Sequence, residues 1–227
     1  MKVYGKNVFE ELKHKPQIFK RIYLAQNFKD QQIIAYIKQH KISYTFVSLN
    51  QLNNLVKGNH QGIIMLIDDY EYYSLSEILN EKVIVMLDHL EDPHNLGAII
   101  RTCEAAGVKA IIIPKDRSVT VNDTVYKTSS GALSNVKIVQ VNNLVNSLNT
   151  LKKNNYFIYG AAMDGTNYQK VDYATKVVLV IGNEGKGISP LIRKNCDEII
   201  SIPMYGKINS LNASVATAIL IYDVITR

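Results

Sequence analysis

Three short segments carry residue types that could do chemistry. The first, Asp92-Pro93-His94-Asn95-Leu96-Gly97, runs into a helical pattern that holds Arg101. Asn95 is placed to accept from the free N–H groups of a first helical turn, and Gly97 and Arg101, four apart, share one helix face. With no side chain at Gly97, the space beside the guanidinium is expected to be open to a ligand. A capped helix with an ordinary surface arginine is the alternative. The second segment, Gly182-Asn183-Glu184-Gly185-Lys186-Gly187-Ile188, follows the apolar run VVLVI. Its glycines permit positive φ and leave backbone N–H and C=O groups free for a ligand. The spacing G-x-x-G-x-G matches neither the dinucleotide fingerprint nor the Walker loop, which argues against ordinary NAD and NTP sites. Glu184 would repel a phosphate but suits an amine, a cation or a ribose hydroxyl, unless the segment is simply a tight turn. The third runs from Ile202 through Met204, Ser210, Leu211 and Asn212 into the small-residue helix ASVATAILIYDVIT. Ser210, Asn212 and Ser214 can cap that helix or face a site. Ala213, Ala216, Thr217 and Ala218 let another backbone approach, although a buried core helix explains them equally well.

The elements that must position these segments alternate along the whole chain. In the first third the pattern reads helix NVFEELKHK, strand RIYLAQ, helix QQIIAYIKQH, strand SYTFVS and strand GIIMLID, a small α/β unit. The polar, tyrosine-rich stretch DDYEYYSLSEILNEK marks a boundary, giving domains at residues 1–75 and 76–227. From VIVMLD onward, strands and helices alternate to the end. Near-continuous β-branched runs such as VVLVIG and AIII indicate strands buried on both faces, hence a doubly wound parallel sheet. In such sheets ligands bind beyond the carboxyl ends of the strands, where all three segments lie.

Charge narrows the function. The 227 residues carry a net +6, and the excess sits at one end. Residues 1–60 hold ten Lys/Arg against three acids, whereas residues 61–227 hold 16 against 17. A basic module on a neutral body suits a polyanion, nucleic acid being the commonest, although a solvated lysine-rich surface has the same composition. No apolar run approaches the ~18–20 residues that span a bilayer, and MKVYGKNVFEELK lacks the apolar stretch of an export signal. Cys103 and Cys196 give neither a disulfide framework nor a zinc spacing, which fits a reducing cytoplasm. The five histidines show no ligand spacing, so no metal is expected. His89 and His94 flank Glu91 and Asp92 and are expected to be solvated loop residues.

Together, LDHLEDPHNLGAIIRTCEAAG, VIGNEGKGIS and ISIPMYGKINSLNASVATAI resemble the three ordered motifs of the SpoU (TrmH-like) branch of the SPOUT RNA methyltransferases, over residues 83–227. VYGKNVFEEL and HQGII are similar to that family's small RNA-binding amino-terminal domain. The resemblance implies an α/β fold in which a trefoil-knotted parallel-sheet methyltransferase domain follows a small α/β RNA-binding domain. It also implies a homodimer and transfer of methyl from S-adenosylmethionine to a ribose 2′-hydroxyl. Cofactor contacts would fall on Gly182, Ile202 and Leu211, with Asn183, Glu184, Gly187 and Met204 around them. The catalytic set would be Asn95, Arg101, Glu184, Ser210 and Asn212. The layout is most similar to enzymes that methylate a guanosine of large-subunit (23S) ribosomal RNA, with transfer RNA the alternative substrate. After KTSSGAL, SNVKIV stands where that subgroup commonly has an acid and a proline, in a loop expected to face RNA. A non-catalytic RNA-binding assembly factor and a small-molecule methyltransferase or nucleotide hydrolase are the competing readings. The first has no need of Asn95, Arg101, Glu184 and Asn212 together, and the second leaves the basic third unexplained.

Overall fold

The computed structural model describes residues 1–227, which form two sheets. The first unit contains β1 (Lys2–Tyr4), α1 (Lys6–Leu12), β2 (Phe19–Ala25), α2 (Gln31–Gln39), β3 (Tyr44–Val47), α3 (Leu49–Leu55) and β4 (Ile63–Ile67). Its strands lie in the order β1-β4-β2-β3, with β4 antiparallel to both neighbours and β2 parallel to β3. Helix α2 begins where Asp30 accepts the Ile33 N–H (3.3 Å). Ile33 and Ile37, one turn apart, bury with Phe9 and Leu12 of α1 over Ile22, Leu24 and Met65. Two elements have almost no signature in the sequence: β1 is three residues long, and α3 buries only Leu52. A capping box between Ser48 and Gln51 starts α3.

The second unit contains β5 (Val83–Asp88), α4 (Pro93–Ala105), β6 (Ala110–Pro114), α5 (Asp123–Ser129), β7 (Lys137–Val141), α6 (Leu144–Lys153), β8 (Phe157–Asn167), β9 (Val177–Gly182), α7 (Pro190–Lys194), β10 (Glu198–Ser201) and α8 (Ala213–Thr226). Six strands lie in the order β10-β8-β9-β5-β6-β7, every pair parallel. Alternation along each strand splits the apolar runs between two cores. Val85, Leu87, Ile111, Ile113, Leu179 and Ile181 share one with residues of α4, α5 and α8. Ile84, Met86, Ile112, Val178 and Val180 share the other with Leu148 and Leu151 of α6 and Ile192 of α7. Both faces are covered, so the runs show no polar alternation. Each fully buried side chain of this kind contributes roughly 1.5–3 kcal/mol. No helix is long and apolar enough to cross a membrane, and both thiols are free.

The tyrosine-rich stretch is a strap fastened to the second sheet. The Tyr73 N–H donates to the Ile138 carbonyl at 2.9 Å, and the Tyr72 hydroxyl accepts from the Val121 N–H at 3.0 Å. The apolar core of the first unit continues without a break into Val121, Val125 and Tyr126 of the second. Ser134 and Asn135, the first residues after KTSSGAL, are exposed, while Ala132 and Leu133 just before them are buried where this segment meets Glu11 of α1. At that junction the Glu11 carboxyl has no hydrogen-bond partner. Burial raises its pKa from 4.5 to about 7, against the opposing pull of the nearby Gly131 backbone and Ser134.

Because the folded chain holds this proton more tightly than the unfolded one, Glu11 leaves stability unaffected below about pH 4.5 and lowers it progressively as pH rises toward 7. Glu11→Gln is therefore expected to melt about 4–8 °C above wild type at pH 8, from on the order of 2 kcal/mol, with the two curves converging near pH 4. Calorimetric melting at both pH values checks this, and an equal difference at each would show that charge burial is not the cause.

Candidate active site

All three motif segments meet at the carboxyl edge of the second sheet. Strands β5 and β9 pair in a register that sets Asp88 beside Gly182, so the loops after them leave the sheet side by side. Asp92 caps α4 by accepting the His94 N–H at 2.8 Å, with Pro93 as the first helical residue. Asn95 is thus inside the helix and does not cap it. Its side chain is buried and points inward, where Nδ2 donates to Glu184 Oε1 at 2.6 Å and Oδ1 accepts from Asn212 Nδ2 at 2.9 Å. Asn212 in turn caps α8, its Oδ1 accepting the Ser214 N–H (2.9 Å), the Val215 N–H (3.4 Å) and the Ser214 hydroxyl (2.6 Å). One amide therefore joins loops 89 and 117 residues away from it.

The glycine-rich loop closes on itself. Asn183 and Gly187 exchange backbone hydrogen bonds at 3.1 and 2.8 Å, and Gly187 has a φ of 64°. A Cβ on Gly182 would lie 2.1 Å from the Gly187 carbonyl carbon, so only glycine allows this turn to fold back. Beside the turn opens a cleft of about 540 Å³, lined by Gly182, Asn183, Glu184, Gly187, Ile202, Met204, Ser210 and Leu211. Every residue assigned to the cofactor from sequence lines it. Asn95 and Asn212 reach it through Glu184. The volume falls within the range of small-ligand sites, roughly 300–1,000 Å³. No three of the His, Cys, Asp and Glu side chains gather into a group able to hold a metal.

Arg101 does not join this set. It is exposed, lies outside the cleft lining, and sits six residues after Asn95, about 120° away around the helix. The space at Gly97 is not open to a ligand either. A Cβ there would meet Thr128 Oγ1 at 2.4 Å and Cβ at 2.5 Å, so the glycine lets α5 pack directly on α4. His94 is solvated as expected, whereas His89 is half-buried, its Nδ1 2.6 Å from Asp88 Oδ1. Sequence reasoning passed over Asp88, whose one signal is an acid ending an apolar strand run. It also missed the bulge in β8, where the register jumps from Gly160↔Ile199 to Thr166↔Ile200. The bulge puts Met163 and Asp164 on the cleft wall, and Arg193 of α7 holds Asp164 with two 2.9 Å bonds. A five-residue bulge of this kind carries no sequence pattern.

Comparison with known proteins adds to the geometry. Residues 82–222 match the model of the SpoU rRNA Methylase family, and residues 2–73 match that of RNA 2'-O ribose methyltransferase substrate binding. A Staphylococcus haemolyticus protein with the provisional name TrmH family tRNA/rRNA methyltransferase is 37% identical over 233 residues, covering 98% of this chain and 94% of its own. A Bacillus subtilis protein of the same provisional name is 39% identical over 234 residues, with the same coverage. Among solved structures, the SpoU methyltransferase AviRb of Streptomyces viridochromogenes in complex with AdoMet shares the fold. Its TM-score is 0.87 at 20% identity, over 100% of this chain and 89% of that one.

The Gly97 contact yields a direct test. Gly97→Ala overpacks the α4–α5 contact and is expected to cost about 1–3 kcal/mol, lowering the melting temperature by roughly 2–12 °C. Gly97→Ala/Thr128→Gly should recover most of the loss. A Gly97→Ala variant as stable as wild type would return Gly97 to the role of leaving space for a ligand.

Proposed function

The chain belongs to the SpoU rRNA methylase family, and from that premise we propose that it transfers the methyl group of S-adenosylmethionine to a ribose 2′-hydroxyl of RNA, on a guanosine of 23S ribosomal RNA. The observation that carries this reading is the convergence of Asn95, Glu184 and Asn212 on a cleft lined by every residue the motifs assign to the cofactor. The cleft suits the ligand's chemistry. Ile202 and Leu211 offer aliphatic surface to an adenine, the 183–187 turn offers backbone polar groups, and Glu184 offers a negative charge to a cationic ligand. When bound, S-adenosylmethionine supplies a methyl already activated on a sulfonium. What remains for the protein is alignment and removal of the hydroxyl proton as the new O–C bond forms and the C–S bond breaks.

Asn95 holds the Glu184 carboxylate in place while Asn212 fixes the Asn95 amide, so the acid presents one orientation to the cleft. Ser210, on the same lining, positions substrate or cofactor by its hydroxyl. Arg101 serves as base or as electrostatic stabiliser of the developing oxyanion. A guanidinium with pKa above about 12 favours the second role. Its exposure away from its own cleft fits a homodimer in which it faces a second copy. Tyr205 (94% exposed), Ile208 (75%), Val215, Tyr222 and Ile225 lie on or beside α8 as apolar surface for that copy. Residues 1–75, with their basic excess, hold the RNA, and residues 76–227 carry out transfer. The knotted chain path and a cytoplasmic location belong to the same proposal.

The test is transfer of labelled methyl from S-adenosylmethionine to unmodified ribosomal RNA, followed by alkaline hydrolysis. Label is expected in alkali-resistant dinucleotides containing guanosine, because a 2′-O-methyl removes the nucleophile that cleaves the next phosphodiester. Arg101→Ala should lower transfer at least about 100-fold while cofactor affinity stays within about threefold. Label in mononucleotides would overturn 2′-O chemistry, and label only with transfer RNA would change the substrate. Absence of both transfer and cofactor binding would favour a non-catalytic RNA-binding protein.

A further inference from the structure

Asp88 is the last residue of β5 and is 1% exposed, a position where a carboxylate survives only if its oxygens are well paired. Both are. Oδ2 accepts the Ser189 N–H at 2.7 Å, and Oδ1 lies 2.6 Å from His89 Nδ1. His89 adopts a φ of 59°, unusual for a residue with a side chain. That conformation accompanies two contacts at once, the ring on Asp88 and the backbone carbonyl accepting from Asn183 Nδ2 at 2.9 Å. Asn183 and Ser189 are the two ends of the glycine-rich excursion that carries Glu184. Two consecutive residues of one strand end therefore fasten both ends of the cleft's main loop, over sequence distances of 94 and 101 residues.

From this arrangement we propose that Asp88, with His89 orienting it, is a positioning residue for the methyltransferase reaction. It never meets the reacting atoms, but holds the 183–189 loop in the shape that binds S-adenosylmethionine and aims Glu184 at Asn95. The loop's own bonds, Asn183 to Gly187 and Gly185 to Asn183, close the turn without fixing its tilt against the sheet. Asp88 and His89 are the groups that tie its ends to β5. Left unfastened, the loop keeps its local turn and samples orientations in which the cleft is misshapen. A bound ligand then has to bear the cost of ordering it, which appears as weaker binding with little change once bound.

This inference rests on reading the cleft as a cofactor site, so the experiment has one arm that needs no cofactor. Amide hydrogen exchange of the full chain is compared among wild type, Asp88→Ala and Asp88→Asn, the last retaining an oxygen for the Ser189 N–H. Titration with S-adenosylmethionine and steady-state kinetics follow. For Asp88→Ala, exchange is expected to quicken at least tenfold at Gly185, Gly187 and Ser189 while the amides of β6 and α6 keep their protection. Cofactor Kd and KM should rise at least tenfold, kcat at saturating cofactor should stay within about threefold, and Asp88→Asn should recover most of the loss. A purely structural role would instead lower protection throughout the second sheet and would not separate KM from kcat. If wild type binds no S-adenosylmethionine, the functional reading fails while the exchange arm still decides whether the loop is fastened this way. Should Asp88→Ala not fold, His89→Gly carries the test, since glycine accepts the positive φ and keeps the carbonyl while removing the ring. It is expected to weaken binding about three- to tenfold and quicken exchange at Ser189. A folded variant with unchanged loop exchange and unchanged Kd overturns the proposal, as does a collapse of kcat with Kd intact.

Discussion

The parallel pairing of β5 with β9, with Asp88 opposite Gly182, is the constraint on which the rest of the candidate site depends. It brings together two strand ends 94 residues apart and aims both following loops beyond the same edge of the sheet. Once there, the first loop enters α4 and presents Asn95, and the second turns back at Gly187 and presents Glu184. The 2.6 Å bond between them is a consequence of register. A slip of one residue would turn every side chain of either strand to the opposite face and exchange the two cores. The apolar runs thus serve the chemistry indirectly, by making that slip prohibitively costly.

Close approach is a second theme. Gly182 lets the 183–187 turn fold back on its own strand, Gly165 lets the β8 bulge lie against the Ile199 backbone at 2.5 Å from a would-be Cβ, and Gly97 lets α5 settle on α4. Gly182 and Gly165 remove a side chain where two backbones must nearly touch, Gly97 where Thr128 must settle against its helix, and each contact borders either the cleft or the helix that carries Asn95. The site is therefore framed by backbone, which is less free to rearrange than a wall of side chains.

The two units are joined more firmly than a boundary at a polar, tyrosine-rich stretch suggests. Tyrosine provides a ring for the core and a hydroxyl for a backbone partner, so a segment rich in it can run through a buried junction with its polar groups satisfied. Tyr72 does this at Val121. The exception is Glu11, a buried acid without a partner, which makes the junction sensitive to pH near neutrality. The basic unit is thus carried on the second sheet by shared core, with electrostatics opposing the contact at one point.

The order of strands and helices and the doubly wound parallel sheet were legible in the sequence because runs without polar alternation and glycines at turns leave a local trace, whereas the cleft-lining residues were legible only through the resemblance of three ordered motifs to a known family. The short β1 and the sparsely buried α3 left no such trace. Nor could sequence say that Asn95 turns inward to Glu184 and Asn212, that Gly97 makes room for Thr128, that Arg101 lies outside its own cleft, or that Asp88 accepts from Ser189, 101 residues away. Residue type and spacing report the conformations a segment can adopt. Which partner a polar side chain finds depends on which distant segment the fold places beside it, and hydrogen bonds across 89 to 117 residues exist only once the sheet has brought their ends together.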